Sequence, residues 1–361
     1  MIIKSLDLEN YRNYSSLHMD FSDGVNILYG DNAQGKTNIL ESIYMSATTK
    51  SHRGSKDKEV IKFGFEECHI KTLLDKEGLG RRVDMHLRSG KSKGIAVDQV
   101  RLKRATELLG LLKVVLFSPE DLSIIKNAPS ERRRFINSEL CQLDSIYTYN
   151  LESYNRIVDQ RNKLLKEIFE NHDYKETIFV WDMQLVSFGK KIIERRREFV
   201  EQLNVIIKDI HKSLSGGKEE LVIKYDPNVN EKEFEKTLSK NLERDIHLKS
   251  TSAGPHKDDI SFFINGMDVR TYGSQGQQRT VALSLKLAEI ELVKIVAGDN
   301  PVLLLDDVLS ELDVNRQNHL LDRIGDIQTI ITCTGLDDFV NARFEYDKVF
   351  KVVEGNVTME N

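Results

Sequence analysis

Apolar residues change their spacing along the chain, and the change separates two kinds of predicted structure. Residues 1–117 contain short apolar segments that predict strands: Ile2–Leu8 alternates between apolar and polar residues, and Val114–Phe117 is a continuous apolar run. From about residue 130, apolar residues recur every three or four positions in two long stripes. A polar break at residues 171–176 separates the stripes, which predicts an antiparallel helical hairpin.

The helical segment is predicted to interrupt an α/β domain. After Gly216-Gly217 the pattern becomes mixed again. Two strands, Ile260–Ile264 and Met267–Arg270, are predicted around Asn265-Gly266, a dipeptide typical of a primed hairpin turn. We therefore predict an α/β fold in which residues 118–217 form an inserted helical lobe II that contains the hairpin. Lobe I, with a mixed sheet, comprises residues 1–117 and 218–361.

A glycine-rich loop lies between a predicted strand, Val25–Tyr29, and a predicted helix whose apolar residues recur at helical spacing. The loop has the pattern G-x-x-x-x-G-K-T, in which backbone N–H groups cradle phosphates at a helix N-terminus. Lys36 is predicted to contact the β- and γ-phosphates during catalysis, and the Thr37 hydroxyl to bind Mg²⁺. The predicted nucleotide-binding residues of this loop are Gly30, Asp31, Asn32, Ala33, Gln34, Gly35, Lys36, Thr37 and Asn38.

A second nucleotide motif is the apolar run Val302–Leu305, which ends in two acids. This is the Walker B pattern, in which a buried strand delivers carboxylates to the phosphate end of the site. We predict that Asp306 binds the Mg²⁺ shell. Asp307 is predicted to act catalytically, because it can orient the attacking water or accept its proton.

The segment Ser274-Gln-Gly-Gln277 precedes a further predicted helix, which ends at Gly298 before the Walker B strand. A serine and a glycine at a helix N-terminus favour an anion. Because the first loop already holds the nucleotide within its own subunit, we predict that this second site acts in trans in a head-to-tail dimer. Ser274 would then contact the γ-phosphate and contribute to catalysis, with Gln275, Gly276 and Gln277 beside it.

Composition gives no support for a nucleic-acid partner, because the formal net charge is −5. Any DNA contact must use local basic clusters, and each of these has the alternative of a solvated helix face. The three cysteines are widely separated and no apolar run approaches the length of a spanning helix, so we predict a cytoplasmic protein without membrane contact. The candidate basic clusters are Lys91–Lys93, Arg101–Arg104, Glu131–Arg134 and Arg195–Arg197.

Seven segments carry a resemblance to a known family. They are Glu9–Tyr14, Gly30–Tyr44, Ser51–Arg53, Phe117–Leu122, Ala253–Asp259, Tyr272–Thr280 and Leu303–Asp313. Together they resemble the RecF family of recombination-mediator ATPases, whose P-loop heads are of the ABC type and are related to SMC heads. The resemblance implies ATP and Mg²⁺ as cofactors, an ATP-dependent homodimer and a weak DNA-dependent ATPase. By analogy, Arg12 would reach the bound nucleotide, and Ser51-His52-Arg53 would line the same region unless it is a solvated turn.

The same resemblance implies a set of partners and a cellular role. DNA would be bound at single-strand/double-strand junctions and gaps. RecR would bind the protein, with RecO and RecA acting downstream as RecA is loaded in recombinational gap repair. The protein would be nucleoid-associated and would serve DNA replication, DNA repair and the SOS response.

Three positions depart from most ABC ATPases. Asp307 stands where glutamate is usual, Ser118 lies where the Q-loop glutamine is usual, and the late strand ends in Thr332-Cys-Thr334 without a switch histidine. We therefore expect slow turnover, with ATP acting as a dimerisation clamp. The alternatives are an ABC transporter ATPase subunit, disfavoured by the missing glutamine, and an SMC-type structural head, disfavoured by the short hairpin.

Overall fold

The computed structural model describes residues 1–76, 78–335 and 346–360, and the chain forms two compact units. Unit 1 comprises Met1–Asp121 and Glu289–Asn361, and unit 2 comprises Leu122–Ala288. The strands are β1 (Ile2–Tyr11), β2 (Tyr14–Asp20), β3 (Val25–Tyr29), β4 (Glu67–Lys76), β5 (Leu79–Arg88), β6 (Gly94–Val97), β7 (Val100–Arg101), β8 (Val114–Phe117), β9 (Leu221–Asp226), β10 (Asp259–Ile264), β11 (Met267–Asp268), β12 (Val302–Asp306), β13 (Thr329–Cys333), β14 (Lys348–Val353) and β15 (Asn356–Glu360). The helices are α1 (Lys36–Thr48), α2 (Leu122–Lys126), α3 (Pro129–Leu143), α4 (Ser145–Glu170), α5 (Ile178–Leu214), α6 (Phe234–Leu248), α7 (Val269–Tyr272), α8 (Gln275–Ala297) and α9 (Val314–Ile324).

Unit 1 contains a mixed sheet in the strand order β15-β14-β3-β13-β12-β8. The strands from β14 to β8 run parallel, and β15 pairs antiparallel with β14 at one edge. Every residue of β8 and β12 is buried, as expected for a parallel sheet that is covered on both faces. The carboxyl ends of β3, β13 and β12 lie side by side, where open α/β sheets bind their ligands. The predicted mixed sheet is confirmed.

An antiparallel sheet in the order β2-β1-β4-β5-β6-β7 completes the strands of unit 1. Side chains alternate across it, because successive residues of a strand point to opposite faces. On β4, Cys68 and Ile70 are buried, whereas Glu67 is exposed and His69 is half-buried. The face that carries Glu67 and His69 is therefore the outer face of this sheet.

The predicted helical hairpin is confirmed in unit 2 by α4 and α5. The two helices are antiparallel: Arg161 Nε donates to Asp182 at 2.6 Å near the connection, and Arg196 Nε donates to the Tyr147 hydroxyl at 3.0 Å near the other end. The first apolar stripe contains a break that its spacing did not predict. Asp144 adopts an extended conformation between α3 and α4, and its carboxylate accepts from the Tyr147 N–H, which caps α4.

The packing extends the inserted segment beyond the predicted boundary at residue 217, to residue 288. Strands β9, β10 and β11 form a separate three-stranded sheet instead of joining the sheets of unit 1. The Asn204 side chain of α5 donates to the Ile223 carbonyl at 2.7 Å and accepts from the Ile223 N–H at 2.8 Å. Hydrogen bonds of this kind tie residues after 217 to the hairpin, so a return to mixed secondary structure did not mark a return to the first unit.

The predicted turn at Asn265-Gly266 is confirmed, but the strand after it is shorter than predicted. Both residues have positive φ, 49° and 81°, as a type I′ turn requires. Asp268 then accepts from the Thr271 N–H at 2.9 Å and caps α7. The segment predicted as the strand Met267–Arg270 therefore becomes helical from Val269 onwards.

Acidification is expected to destabilise unit 2 through His256. Its Nε2 lies 2.9 Å from the Thr251 carbonyl, which can only accept, so Nε2 carries the proton and Nδ1 accepts from the Tyr154 hydroxyl at 2.8 Å. Burial lowers the pKa of His256 below its ordinary value, and the nearby Lys257 and Arg133 act in the same direction, against Thr251 and Asp258. The unfolded chain therefore takes up the proton first as the pH falls, and the unfolding free energy decreases.

Urea unfolding at about pH 7 and about pH 5.5 measures this loss, and His256→Gln is the reference because glutamine does not titrate. The wild type should lose more stability on acidification than the variant does. An equal loss in the two proteins would contradict the assignment to His256.

Candidate nucleotide-binding site

The loop between β3 and α1 needs glycine at two positions. Gly30 has φ +150°, and a Cβ there would collide with the Val352 carbonyl oxygen of β14. Gly35 has φ +119°, and a Cβ there would lie 2.6 Å from the Tyr14 hydroxyl oxygen. Only glycine combines this backbone conformation with so close an approach. The backbone of the predicted phosphate-binding loop is thus shaped by β2 and β14 as well as by its own sequence.

Lys36 opens α1, and its side chain is folded into the loop. The residue is buried, and its Nζ donates to the carbonyls of Gly30 and Asp31, the second at 2.9 Å. The ammonium group is therefore held against the backbone of the loop that is predicted to bind phosphate. Phosphate oxygens can replace the two carbonyls as acceptors with little movement of the lysine.

Thr37, Asp306 and Thr332 meet where α1 begins and where β12 and β13 end. Thr37 Oγ1 donates to Asp306 Oδ1 at 2.8 Å, and Thr332 Oγ1 donates to the same oxygen at 2.9 Å. Burial raises the pKa of Asp306 above its ordinary value, although both hydroxyls stabilise the carboxylate. A hydroxyl and a carboxylate are the hard oxygen donors that Mg²⁺ prefers, so the residues present fit this ion. Thr332 was not predicted as a site residue; the parallel pairing of β12 and β13 places it there.

Asp307 follows directly in the left-handed region, with φ +55°. Its N–H donates to Thr332 Oγ1 at 3.0 Å, and its carbonyl accepts from Ser310 Oγ at 2.7 Å. Aspartate tolerates this conformation better than most residues do. The backbone therefore turns sharply directly after β12.

Arg12, predicted to contact the nucleotide, is bound to protein groups in the structure. Its Nε and Nη2 donate to the Glu41 carboxylate at 2.8 and 2.6 Å, and its Nη atoms also donate to Ser55 Oγ and the Glu59 carbonyl. Burial opposes ionisation of Glu41, but hydrogen bonds from Arg12, Ser51 and Tyr11 outweigh it and lower the pKa. A nucleotide contact by Arg12 remains a prediction and would require it to exchange these partners.

The segment Ser51-His52-Arg53 packs against α1, the helix that carries Glu41. Ser51 is buried and donates to Glu41 Oε1 at 2.5 Å, so this residue is not part of a solvated turn. Arg53 Nη1 donates to Asn38 Oδ1 at 3.3 Å, beside the predicted phosphate-binding loop. Glu41 was not predicted; the available signal was an acid among the apolar positions of α1.

Two further segments donate hydrogen bonds to the loop, and neither was predicted to belong to the site. Asn13 Nδ2 donates to the Gln34 carbonyl at 2.9 Å, and Asn13 Oδ1 accepts from Asn38 Nδ2 at 2.8 Å. On the other side, the Glu354 N–H donates to Gln34 Oε1 at 2.5 Å and the Gly355 N–H donates to the Gln34 carbonyl at 3.2 Å. Asn13 belongs to a segment that carried the family resemblance, whereas residues 354–355 carried no recognisable signal.

The segment Ser274–Gln277 lies in unit 2 and begins α8 with a reciprocal pair of hydrogen bonds. The Gln277 N–H donates to Ser274 Oγ at 3.2 Å, and the Ser274 N–H donates to Gln277 Oε1 at 2.9 Å. Gln277 Nε2 also donates to Glu219 at 2.8 Å. Ser274, Gln275 and Gly276 are exposed. The predicted signature is thus an ordered helix N-terminus that presents its serine to solvent.

Two of the predicted basic clusters have structural roles. Arg132 is buried and pairs with the Asp259 carboxylate through two hydrogen bonds of 2.6 and 2.9 Å. Arg196 is buried against Asp258, with Nη1 2.8 Å from Oδ2. Charges enclosed in this way cannot contact a DNA backbone. The exposed side chains of Arg101 and Lys103 remain candidates.

None of the helices in the described part of the chain combines the length and apolar character that a bilayer crossing requires. The family profile of the RecF/RecN/SMC N terminal domain matches residues 2–358. The curated "DNA replication and repair protein RecF" of Lachnoclostridium phytofermentans is 60% identical over 357 residues, which cover 99% of each chain. The corresponding protein of Agathobacter rectalis is 58% identical over 357 residues, with the same coverage.

Solved structures agree with these sequence matches. The structure of "the recombination mediator protein RecF-ATP in RecFOR pathway" superposes with a TM-score of 0.94 at 35% identity, over 99% of this chain and 97% of that one. A Pyrococcus furiosus Smc head domain is 16% identical with a TM-score of 0.57, over 99% of this chain and 95% of that one, and supports the fold alone. The predicted ABC-type ATPase head is confirmed. The chain belongs to the RecF family of DNA replication and repair proteins.

Proposed function

We propose that the protein binds ATP with Mg²⁺ between its phosphate-binding loop and β12, and that the bound nucleotide controls dimerisation in recombinational gap repair. The observation that carries this proposal is the 2.8 Å contact between Thr37 Oγ1 and Asp306 Oδ1. It joins the first turn of α1 to the end of the acidic strand, as a phosphate-bound cation requires. A relative of 35% identity has been solved as "RecF-ATP", which supports the choice of nucleotide.

The residues of the site have separate tasks in this proposal. Lys36 leaves the carbonyls of Gly30 and Asp31 and pairs with phosphate oxygens. Thr37 and Asp306 hold Mg²⁺, which neutralises charge that develops on the phosphates. Asp307 orients the attacking water or accepts its proton. Since an aspartate reaches about 1.5 Å less far than the usual glutamate, we expect slow turnover.

Dimerisation is proposed to use Ser274 in trans. Its exposed hydroxyl and the positive end of the α8 helix dipole favour an anion, and the γ-phosphate held by a second copy supplies one. The capping interaction with Gln277 fixes the serine before the partner arrives, so little conformational entropy is lost on association. ATP would thereby join two copies, and hydrolysis would release them.

The dimer is proposed to bind DNA at single-strand/double-strand junctions and gaps, with weak ATPase activity that depends on DNA. RecR is the proposed direct partner, with RecO and RecA acting downstream. The relatives named for DNA replication and repair and for the RecFOR pathway support this assignment. Because the net charge is negative, the contact with phosphates would rely on local cations such as Arg101 and Lys103.

Sedimentation with Mg²⁺-ATP and gapped DNA tests the proposal, with Ser274→Asp as the main variant. Aspartate caps helices as well as serine does, so α8 should remain folded, but its charge would repel the γ-phosphate. We expect this variant to bind ATP like the wild type and to remain monomeric, without retaining DNA. Ser213→Asp adds the same charge at another exposed serine of unit 2 and should dimerise normally. Normal ATP-dependent dimerisation of Ser274→Asp would overturn the in-trans proposal.

A further inference from the structure

We propose that Glu67, His69 and His86 form a site for a divalent transition-metal ion, represented by Zn²⁺, on the outer face of the antiparallel sheet of unit 1. Each of the three residues offers a ligand atom, and these atoms all lie within 4.8 Å of one another. The cluster has no part in the nucleotide site described above. The inference therefore goes beyond the proposed function and does not depend on it.

The strand pairing creates the cluster. His69 on β4 and His86 on β5 are direct partners in the antiparallel register, and Glu67 lies two residues before His69 on the same face. The imidazole rings stack with their centroids 4.0 Å apart and their planes 20° apart. His86 Nε2 also lies 2.9 Å from Glu67 Oε2. The buried residues Cys68 and Met85 on the opposite face anchor these strands, so the ligand positions rest on rigid backbone.

The donor set selects the class of ion. Two imidazole nitrogens and one carboxylate oxygen suit Zn²⁺, Cu²⁺ and Ni²⁺ better than they suit Mg²⁺ or Ca²⁺, which prefer oxygen ligands. Three protein ligands leave the fourth tetrahedral position of Zn²⁺ open. Coordination requires the stacked rings to turn so that their nitrogens converge, and the χ2 torsion of histidine is soft enough to allow this. A groove of about 280 Å³ beside the cluster leaves room for water or another ligand at the open position.

Two cations of the same sheet are paired with acids. Lys71 pairs with Asp7 at 3.1 Å, and Arg82 pairs with Asp84 at 2.7 Å. Arg88 stands opposite Glu67 in the strand register and is the cation that competes with a metal for this carboxylate. Metal binding replaces the interaction of Glu67 with His86 by two bonds to one ion, which links β4 and β5 near their ends.

Zinc binding by the purified full-length chain tests the site. Equilibrium dialysis against ZnCl₂ without nucleotide should show a bound equivalent that His69→Gln and His86→Gln weaken by about tenfold or more. Zn²⁺ should also raise the Tm of the wild type, because it binds only the folded pairing of strands, and MgCl₂ should not reproduce this increase. His18→Gln is the matched control, since His18 is an exposed histidine of the same sheet that pairs with Asp7 at 2.7 Å.

A second measurement separates this site from the oxygen ligands of the nucleotide site. The electron paramagnetic resonance spectrum of one equivalent of Cu²⁺ should show coupling to two imidazole nitrogens, and each histidine variant should lose one of them. The Asp306→Asn variant should retain both. Zinc affinity and copper spectra that are unchanged in His69→Gln and His86→Gln would overturn the proposal. Thermal unfolding in EDTA verifies that each variant is folded.

Discussion

Replacement of Asp307 with asparagine is expected to lower ATP hydrolysis about 10²- to 10⁴-fold, the range for loss of a positioned acid–base group. Asparagine has nearly the same shape and tolerates the left-handed conformation that Asp307 adopts, so the turn after β12 should persist. The hydrogen bond to Thr332 Oγ1 is donated by the backbone N–H of residue 307, so the change of side chain does not remove it. ATP binding and ATP-dependent dimerisation should therefore remain, and the variant should accumulate as a stable dimer.

The neighbouring carboxylate provides the contrast for this experiment. Asp306→Asn removes a charge from the group that contacts Thr37 and is expected to weaken Mg²⁺-dependent ATP binding itself. Single-turnover hydrolysis and nucleotide affinity, measured on both variants, distinguish the two roles. A decrease of less than about tenfold in hydrolysis by Asp307→Asn would show that this carboxylate is not the acid–base group.

Replacement of Arg196 with methionine is expected to lower the unfolding free energy by about 3–5 kcal/mol, as when one partner of a buried ion pair is removed. Arg196 Nη1 donates to Asp258 Oδ2 at 2.8 Å and to the Pro255 carbonyl at 2.6 Å, and its Nη2 donates to Asn137 Oδ1 at 2.9 Å. Methionine fills much of the space but leaves the Asp258 carboxylate buried without its charged partner. The loss should appear in the urea midpoint of unit 2.

Arg197 is the matched control because it is the next residue of the same helix. Its guanidinium contacts Glu231 at 2.5 Å, but its side chain is 42% exposed, so Arg197→Met should cost no more than about 1 kcal/mol. Equal losses in the two variants would contradict the structural role of Arg196. The two variants also test the basic cluster 195–197, in which Arg196 forms a buried ion pair and Arg197 is a surface charge.

Much of the candidate nucleotide site could be predicted because most of its residues are contiguous. The predicted strand and helix around the loop appear as Val25–Tyr29 and Lys36–Thr48, and Asp306 ends its strand as expected. Local patterns suffice here because backbone N–H groups of one loop and one helix turn form most of a phosphate site. Thr332 could not be found in this way, since only the sheet order brings it beside Asp306.

The exposure of the basic side chains was the property that the sequence predicted least well. Arg132 and Arg196 stood in clusters that resembled a DNA-binding surface, yet both are enclosed by partners more than sixty residues away in the chain. A side chain's sequence neighbours do not report its solvation, because burial is decided by distant elements that fold over it. The same reason explains why the inserted segment extends to residue 288: β9 and α6 pack against α5, although the sequence pattern after residue 217 is mixed again.

Local sequence patterns were enough to predict the alternation of strands and helices, the candidate phosphate-binding loop and the acidic strand, because each depends on residues that are close along the chain. Which charged side chains are exposed and which are paired with other residues depends on the tertiary structure. It paired the Lys36 ammonium group with a carbonyl of the loop, bound Arg12 to Glu41, and brought Glu67, His69 and His86 together across two strands. Hydrogen bonds and burial depend on which residues are close in space. Sheet order and helix packing determine that proximity, and neither can be read from residues that are neighbours in the sequence.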